Sequence, residues 1–422
     1  MSAVDDLLRD IPIPKLVDVK QIFPRPVIKD AAGTLAGKLQ ASGLLSGIKP
    51  GQSIAITAGS RGIANIPAML KVLVDEVKKA GGKPFVFPAM GSHGGATAEG
   101  QKSMLEGMGI TEDYLGAPIR ATMDTVQIGV SSNGRPVFID KFADEADGII
   151  VINRIKPHTS FRGKYESGLM KMITIGMGKQ HGADFAHMLG FGQMAESVPA
   201  IAREVIAKKN IICAVGVIEN AYHETAQIEV LPSQAIETEE PALLKRAWEL
   251  YPRLFFDKLD VLILDEIGKD ISGTGFDTNI LGRYHTPYAS GGPDITKIAV
   301  LDVTEKSHGN ANGAGMLDFT TRRLFDKMSF EQTYPNALTS TVPTSVKIPM
   351  VLKNDMQAIQ AAIKTCNILD RTSVKLARIK NTTQLDVISV SESLVPYVRE
   401  HASLELAGEP YSLTFNSDGN LF

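Results

Sequence analysis

Short apolar segments that end in glycine-rich loops recur along the first half of the chain. Residues 53–57, 83–88 and 148–153 are such segments, and each is predicted to form a strand. Residues 66–77 follow the first of them and carry apolar side chains at helical spacing, with Asn65 in the position of an N-cap. Strands that alternate with helices in this way predict an α/β fold.

A second series of apolar segments begins after residue 255. Residues 259–264 have the apolar pattern of a strand buried on both faces, and further strand and helix patterns follow as far as residue 390. A chain of 422 residues is also too long for one ordinary core. We therefore predict two α/β domains with a cleft between them: a larger N-terminal domain (residues 1–255), a smaller C-terminal domain (residues 256–400) and a tail (residues 401–422) that packs on the first domain.

Composition and charge exclude several classes of protein. An apolar fraction of 44% and a charged fraction of 22% are typical of a globular protein, and a net charge of −3 gives no electrostatic attraction for nucleic acid or an anionic membrane. The acidic start lacks the apolar core of a secretory signal, and no apolar run reaches the roughly 20 residues of a membrane helix. Cys213 and Cys366 lie far apart in apolar segments, as structural thiols of a reducing compartment do. We expect a soluble, cytoplasmic protein.

Candidate chemistry is concentrated in the loops that follow the three predicted strands of the first domain. Ser60 and Arg61 follow the first strand, His93 follows the second, and His158 and Lys171 follow the third. Ligands of open α/β sheets bind beyond the carboxyl ends of the strands. The first loop, with its backbone amides, can bind a phosphate or carboxylate. The imidazoles can transfer protons, and the lysine amine can attach a cofactor or substrate covalently.

Two more histidines follow Lys171, at positions 181 and 187. Imidazole is the commonest metal ligand and suits nickel, copper, iron and zinc. No second and third ligand occurs at a fixed spacing around them, so the sequence does not predict a metal cage built by the protein alone. Ligand type by itself does not separate His181 from His187.

Four short motifs occur in a particular order along the first domain: GSR at residues 59–61, GSH at 91–93, KPHTSF at 156–161 and SGLMK at 167–171. A histidine, His187, follows Lys171 by 16 residues. This order resembles that of the nickel-dependent lactate racemase family. The resemblance runs over most of the chain and is specific in the first domain.

The resemblance implies a cofactor and a role for each candidate residue. The family holds a nickel-pincer nucleotide, a pyridinium mononucleotide whose two sulfur donors and one ring carbon bind nickel, and attaches it to a lysine as a thioamide. The implied roles in this chain are cofactor attachment for Lys171, nickel coordination for His187, paired acid and base for His93 and His158, and phosphate binding for Ser60 and Arg61. Enzymes that synthesise the cofactor are implied partners.

The implied reaction is racemisation or epimerisation of a 2-hydroxy acid. The α-hydrogen of such an acid is too weakly acidic for a histidine or lysine to remove as a proton, whereas the cofactor can accept it as a hydride. Where substrate is recognised, this chain departs from the family: Ala58 replaces an aspartate, Gly94 replaces an arginine, and GFDTNILGR stands where the family has a glutamine and a lysine. We therefore expect a different 2-hydroxy acid, larger or more polar, such as a sugar acid, with Asn279 and Arg283 as candidate substrate-binding residues.

Two other functions fit the same residues. A dehydratase or lyase that acts on a sugar acid without nickel would keep its activity after Lys171→Ala and after chelation. A non-catalytic binder of a nucleotide or an acidic metabolite would use the histidines only for hydrogen bonds. Replacing His93 and His158 would then change affinity without any turnover to lose.

Overall fold

The computed structural model describes residues 2–60, 62–188 and 190–422. Contacts divide the chain into two compact units. The central unit is Pro24–Tyr251, and the split unit combines residues 2–23 with Pro252–Phe422. The predicted α/β class is confirmed, because each unit contains helices and a largely parallel sheet.

The strands are numbered in chain order: β1 Leu16–Gln21, β2 Ser53–Ala58, β3 Lys83–Pro88, β4 Thr125–Val130, β5 Pro136–Asp140, β6 Gly148–Arg154, β7 Ile211–Glu219, β8 Thr225–Pro232, β9 Lys258–Ile267, β10 Asp294–Val303, β11 Phe319–Thr321, β12 Met350–Leu352, β13 Leu376–Ile379, β14 Val387–Ser391 and β15 Leu404–Leu406. The α-helices are α1 Ala3–Leu8, α2 Ala31–Ser42, α3 Ile66–Lys79, α4 Ala98–Gly107, α5 Glu112–Leu115, α6 Lys141–Asp144, α7 Leu169–Lys171, α8 Lys179–His187, α9 Met194–Lys208, α10 Ile236–Glu249, α11 Thr278–Leu281, α12 Arg322–Lys327, α13 Phe330–Ser340, α14 Asp355–Thr365 and α15 Val395–Glu400. A π-helical segment, Met172–Gly176, lies between α7 and α8.

The central unit contains a five-stranded sheet in the order β3-β2-β6-β7-β8. Its first four strands are parallel, and β8 pairs antiparallel with β7. The first five residues of β6 and the last five of both β2 and β3 are buried, as the apolar patterns predict. Because these three strands are parallel neighbours, their carboxyl ends lie side by side at one edge of the sheet.

Helix α3 packs its apolar side chains into the core of this unit. Leu70, Leu73 and Val77 are fully buried, as their helical spacing predicts. Asn65 is the N-cap residue of α3, as predicted, but its side chain makes no capping hydrogen bond. Asn65 has a left-handed backbone, with φ of 64°, and its amide nitrogen donates to the Thr225 hydroxyl at 3.1 Å instead.

The split unit contains an eight-stranded sheet in the order β12-β11-β10-β9-β13-β14-β1-β15. The strands from β12 to β13 run parallel, whereas β14, β1 and β15 each pair antiparallel with the strand before them. This pairing corrects the prediction that the N-terminal domain begins at residue 1, because β1 lies between β14 and β15. The structure divides the units at Tyr251 and Pro252, close to the predicted boundary after residue 255.

The last residues of the chain also pack within the split unit. The backbone of Tyr411 pairs with that of Leu16 in β1, and an Arg323 guanidinium nitrogen donates to the Phe422 carbonyl oxygen at 2.8 Å. The tail is predicted to pack on residues 1–255, and it does contact Leu16, but this residue belongs to the split unit. An irregular segment without apolar periodicity carries little information about which surface it covers.

Both cysteines are free and buried, as expected for structural thiols. Burial raises the pKa of Cys213 to about 12, so this thiol is unreactive at neutral pH. In the part of the chain that the structure describes, no helix has both the length and the apolar character needed to span a bilayer.

Candidate active site

The loop after β2 lies against the segment that follows Lys171. Ser60 stands two residues beyond the last residue of β2 and is half-buried, whereas Arg61 lies outside the described residues. A Cβ placed on Gly59 would stand 3.2 Å from the terminal methyl carbon of Met172. Ser60 therefore lies next to the helical segment that carries the candidate lysine.

The imidazole of His158 and the amine of Lys171 are in direct contact. Their Nε2 and Nζ atoms are 2.6 Å apart, and the Ser160 backbone N–H donates to Nδ1 of His158 at 3.0 Å. Because Nδ1 accepts this bond, a neutral imidazole carries its proton on Nε2, which faces the amine. Only the unprotonated amine can accept that proton, so the neutral pair presents Lys171 as a nucleophile.

The loop that carries His158 is held by a local network. A backbone bridge between Lys156 and Ser167 closes the loop. The buried carboxylate of Glu166 accepts the His158 N–H at 2.6 Å, and the Arg162 guanidinium donates to the His158 carbonyl at 2.7 Å. Burial raises the pKa of Glu166, which the His158 N–H and Arg162 oppose. These contacts fix the backbone of His158 on both sides.

The start of α7, which positions Lys171, is held by Glu240 and Asn153. The Glu240 carboxylate is buried and accepts the Met170 N–H at 2.8 Å, and it lies so close to Gly168 that a Cβ there would collide with it. The Asn153 amide donates to the Gly168 carbonyl at 2.8 Å. Burial raises the pKa of Glu240 to about 7. Both supports come from outside the motif that contains the lysine.

Glu240→Gln is expected to remove a pH-dependent part of the stability. The pKa of Glu240 is 4.5 ordinarily and about 7 in the folded chain, so the folded state binds more protons between those values. This contribution to the free energy of unfolding is complete below pH 4.5 and is lost as the pH rises through 7. The glutamine still accepts the Met170 N–H but does not titrate. Urea denaturation of both proteins should show a difference that changes by up to about 3 kcal/mol across this range.

The exposed neighbour Glu239 supplies a matched control. Glu239→Gln should follow the wild-type dependence on pH, because this variant keeps the buried carboxyl of Glu240. A difference between wild type and Glu240→Gln that stays constant with pH would contradict the assignment.

His187 has the properties of a neutral metal ligand. Its ring is half-buried, and its Nδ1 is buried without a hydrogen-bond partner among the described residues. Burial lowers the pKa of His187 to about 4, and a positive charge on Lys171 acts in the same direction. The ring meets Phe191 edge-on at 5.2 Å, and Phe191 also lies 6.1 Å from the ring of His158. His158, Lys171 and His187 therefore form one cluster.

His181 points to a different part of the central unit. It is exposed, its Nδ1 lies 3.1 Å from the Thr125 hydroxyl, and its ring packs on Phe138 at 4.2 Å. Six positions along an α-helix correspond to a rotation of about 240°, so His181 and His187 lie on different faces of α8. His187 instead packs on Phe191, a ring that also lies near His158.

His93 lies on a loop that packs along the helical run from α7 to α8. The Ala89 carbonyl is packed against the π-helical segment, since a Cβ on Gly176 would stand 2.8 Å from this oxygen. A Cβ on Gly91 would stand 3.5 Å from that of Ala183 in α8. His93, which is half-buried, is thus held next to the elements that carry Lys171 and His187.

The glycine after His93 is required by the loop's own conformation. Gly94 has φ of 62°, and a Cβ there would stand 2.5 Å from the Gly100 carbonyl carbon. An arginine cannot occupy this position without rearrangement of the backbone. The backbone conformation therefore requires the glycine that this chain has where the lactate racemase pattern has an arginine.

Asn279 and Arg283 belong to the split unit, where both have structural contacts. A guanidinium nitrogen of Arg283 donates to two backbone carbonyls of β10 and lies 3.2 Å from the Asp318 carboxylate. Asn279 is buried on α11, where its amide oxygen accepts the Tyr284 hydroxyl at 3.2 Å. Their contact with substrate stays a prediction.

The sequence did not point to Glu166, Arg162 or Glu240. Glu240 lies in a charged helix about seventy residues from the helix start that it supports, and no local pattern distinguishes it from its exposed acidic neighbours. In the sequence, Glu166 and Arg162 are indistinguishable from charged loop residues that face solvent. Only tertiary contacts identify these residues as supports of His158 and Lys171.

In the described part of the chain, possible metal ligands occur as single side chains and not as a group that surrounds a metal. No group of three or more His, Cys, Asp or Glu side chains is arranged to hold a metal ion in the parts of the chain that the structure covers. The neutral imidazole of His187, with its buried Nδ1, suits a metal whose other ligands come from a bound cofactor. The adjacent amine of Lys171 suits covalent attachment of that cofactor.

Comparison with known proteins identifies a family for part of the chain and a similar fold. Residues 31–198 match the family model of the lactate racemase N-terminal domain, a range that contains every candidate residue of the central unit. The fold is similar to that of the lactate racemase apoprotein from Thermoanaerobacterium thermosaccharolyticum, with a TM-score of 0.56 and 14% identity over 88% of this chain and 99% of that chain. No curated protein matches the chain in sequence. Residues 31–198 thus form a domain of the lactate racemase N-terminal type, and the chain has a fold similar to that of the lactate racemase apoprotein.

Proposed function

We propose that the chain is a racemase or epimerase of a 2-hydroxy acid that carries a nickel-pincer nucleotide on Lys171. The observation that carries this proposal is the contact of 2.6 Å between Lys171 Nζ and His158 Nε2, beside the neutral imidazole of His187. A half-buried amine in direct contact with an imidazole, near a histidine that can bind a metal, suits covalent attachment of a cofactor. These residues stand in a domain of the lactate racemase type.

The residues of the central unit fit such a cofactor. Lys171 would attach it, His187 would bind its nickel, and Ser60 with Arg61 would bind its phosphate. When bound, the group supplies an electrophilic carbon that accepts the hydride from C2 of the substrate and returns it. Loading would depend on cofactor-synthesis enzymes. We expect the protein to be cytoplasmic.

His158 and His93 handle the hydroxyl proton in this proposal. Inversion needs proton transfer on both faces of the reacting carbon, and the two histidines come from separate loops, after β6 and after β3. Nε2 of His158, the nitrogen that faces Lys171, would exchange protons with substrate. To accept a proton at Nε2, the neutral ring must carry its own proton on Nδ1, so the bond from the Ser160 N–H would have to be released. With the cofactor on Nζ, Lys171 would no longer present a basic amine to Nε2. The contacts of Glu166 and Arg162 with the backbone of His158 hold this residue in place.

The substrate is expected to differ from lactate. Gly94 replaces the arginine that lactate racemases have after the loop histidine, and its left-handed backbone excludes a cationic side chain there. Loss of that charge and volume leaves room for a larger 2-hydroxy acid with its own polar groups, such as a sugar acid.

Isotope labelling of loaded protein tests the proposed reaction. Chain produced together with the cofactor-synthesis enzymes is incubated with a panel of chiral 2-hydroxy acids that carry deuterium at C2. Inversion with retention of the C2 label is expected, because hydride transfer does not exchange with water. Washout of the label into solvent would indicate proton abstraction instead. Turnover that survives chelation and Lys171→Ala would indicate a nickel-independent lyase or dehydratase.

A further inference from the structure

We propose that Lys179 is a positioning residue that holds the His93 loop and the helix of His187 in one rigid frame. The proposal rests on the proposed function only in its description of His93 as an acid–base residue. The contacts that support it lie within the central unit and involve Lys179, Gln101 and Asp140, which the proposed reaction does not use.

Lys179 is fully buried, which is unusual for a lysine. Its Nζ donates to the Pro88 carbonyl at 2.6 Å and to the amide oxygen of Gln101, and it lies 3.8 Å from a carboxylate oxygen of Asp140. Lys179 is also the first residue of α8, the helix that ends at His187. Its ammonium therefore joins α8 to the end of β3 and to the end of β5.

Gln101 transmits this contact to the loop of His93. Its amide nitrogen donates to the carbonyls of Met90, Gly91 and His93, at 3.2, 2.8 and 3.3 Å respectively. An ammonium group can only donate, so the oxygen of the Gln101 amide must face Lys179 and the nitrogen must face the loop. Lys179 thereby fixes the orientation of the side chain that holds the His93 backbone.

Asp140 balances the buried charge and joins a third segment to the frame. One carboxylate oxygen accepts the N–H groups of Phe142 and Ala143, and the Asp140 N–H donates to the Met177 carbonyl at 2.7 Å. The other oxygen faces Lys179 and has no hydrogen-bond partner in the described part of the chain. Removal of Lys179 would leave this carboxylate without its counter-charge.

Backbone strain and burial of charge both indicate that the conformation of Lys179 and Asp140 costs folding free energy. Lys179 has φ of 57°, a left-handed conformation that lysine rarely adopts. Burial lowers the pKa of Lys179 to about 8 and raises that of Asp140 to about 6, each against the pull of the other group. An apolar side chain could fill this space, but it could not hold three segments through directed hydrogen bonds.

Amide hydrogen exchange of the unloaded chain tests the proposal. Lys179→Met, which keeps length and removes the donor, is expected to accelerate exchange in residues 89–101 by at least about tenfold. Segments away from the frame, such as α2, should change much less. The control Val74→Ala removes packing from the buried face of α3 and should not single out residues 89–101. Uniform acceleration in Lys179→Met, as in the control, would overturn the proposal.

Gln101→Met provides a second test that does not depend on Lys179→Met being folded. It keeps the contacts of Lys179 with Pro88 and Asp140 but removes the three bonds to the loop. Faster exchange confined to residues 89–101 supports the frame, and exchange like that of wild type overturns it. Because the unloaded chain is used, failure here leaves the proposed function standing. An absence of C2 inversion in the loaded chain would leave the frame standing.

Discussion

His158→Asn in cofactor-loaded protein is expected to lower the rate of inversion by about 10²- to 10⁴-fold, the usual contribution of a general acid or base. The asparagine oxygen can accept the Ser160 N–H in place of Nδ1, so the local loop should persist while the proton-exchanging nitrogen is lost. Initial rates of inversion, measured from each enantiomer or epimer of the best substrate, report the effect.

His93→Asn should give a loss of similar size, because inversion requires proton transfer on both faces. His181→Asn is the control, since this exposed histidine lies on a different face of α8 from His187. A His158→Asn protein that retains the wild-type rate would remove His158 from the mechanism and favour a binding role for the loop.

His187→Ala is expected to abolish stable nickel binding by loaded protein. Loss of a partner that only orients a metal ligand costs about 10- to 100-fold in affinity, so loss of the proposed ligand itself should cost more. Nickel per chain, measured by elemental analysis after dialysis against a chelator, should fall from about one to near zero.

His181→Ala is the matched control for this measurement, because both histidines lie on α8 but His181 packs on Phe138, whereas His187 packs on Phe191 beside His158. Nickel that is retained in His187→Ala but lost in His181→Ala would reverse the assignment. Such a result would require α8 to rotate when cofactor is loaded.

The strands that position the site could be predicted from sequence, but the order of the strands could not. The apolar runs of β2, β3 and β6 are buried as expected, because strands inside a parallel sheet need apolar side chains on both faces. Their adjacency in the order β3-β2-β6 follows from tertiary pairing. The same limit explains β1, whose position between β14 and β15 depends on residues almost four hundred positions away.

Motifs located the reactive side chains, and the structure identified the residues that hold them. The separation of His158 from Lys171 along the chain does not reveal a contact of 2.6 Å, which depends on closure of the loop by the bridge between Lys156 and Ser167. Lys179 reads in sequence as part of a glycine-rich run, GMGKQHG, and its burial could not be inferred from that pattern. Long-range hydrogen bonds leave no periodic signal in a sequence.

Lys171 is proposed to carry a covalent cofactor beside His158 and His187. Intact mass and peptide mapping of the chain, produced together with the cofactor-synthesis enzymes, test this attachment. We predict an added mass on the peptide that contains Lys171, and no added mass in Lys171→Ala. An unmodified Lys171 in protein that nevertheless inverts 2-hydroxy acids would contradict the claim.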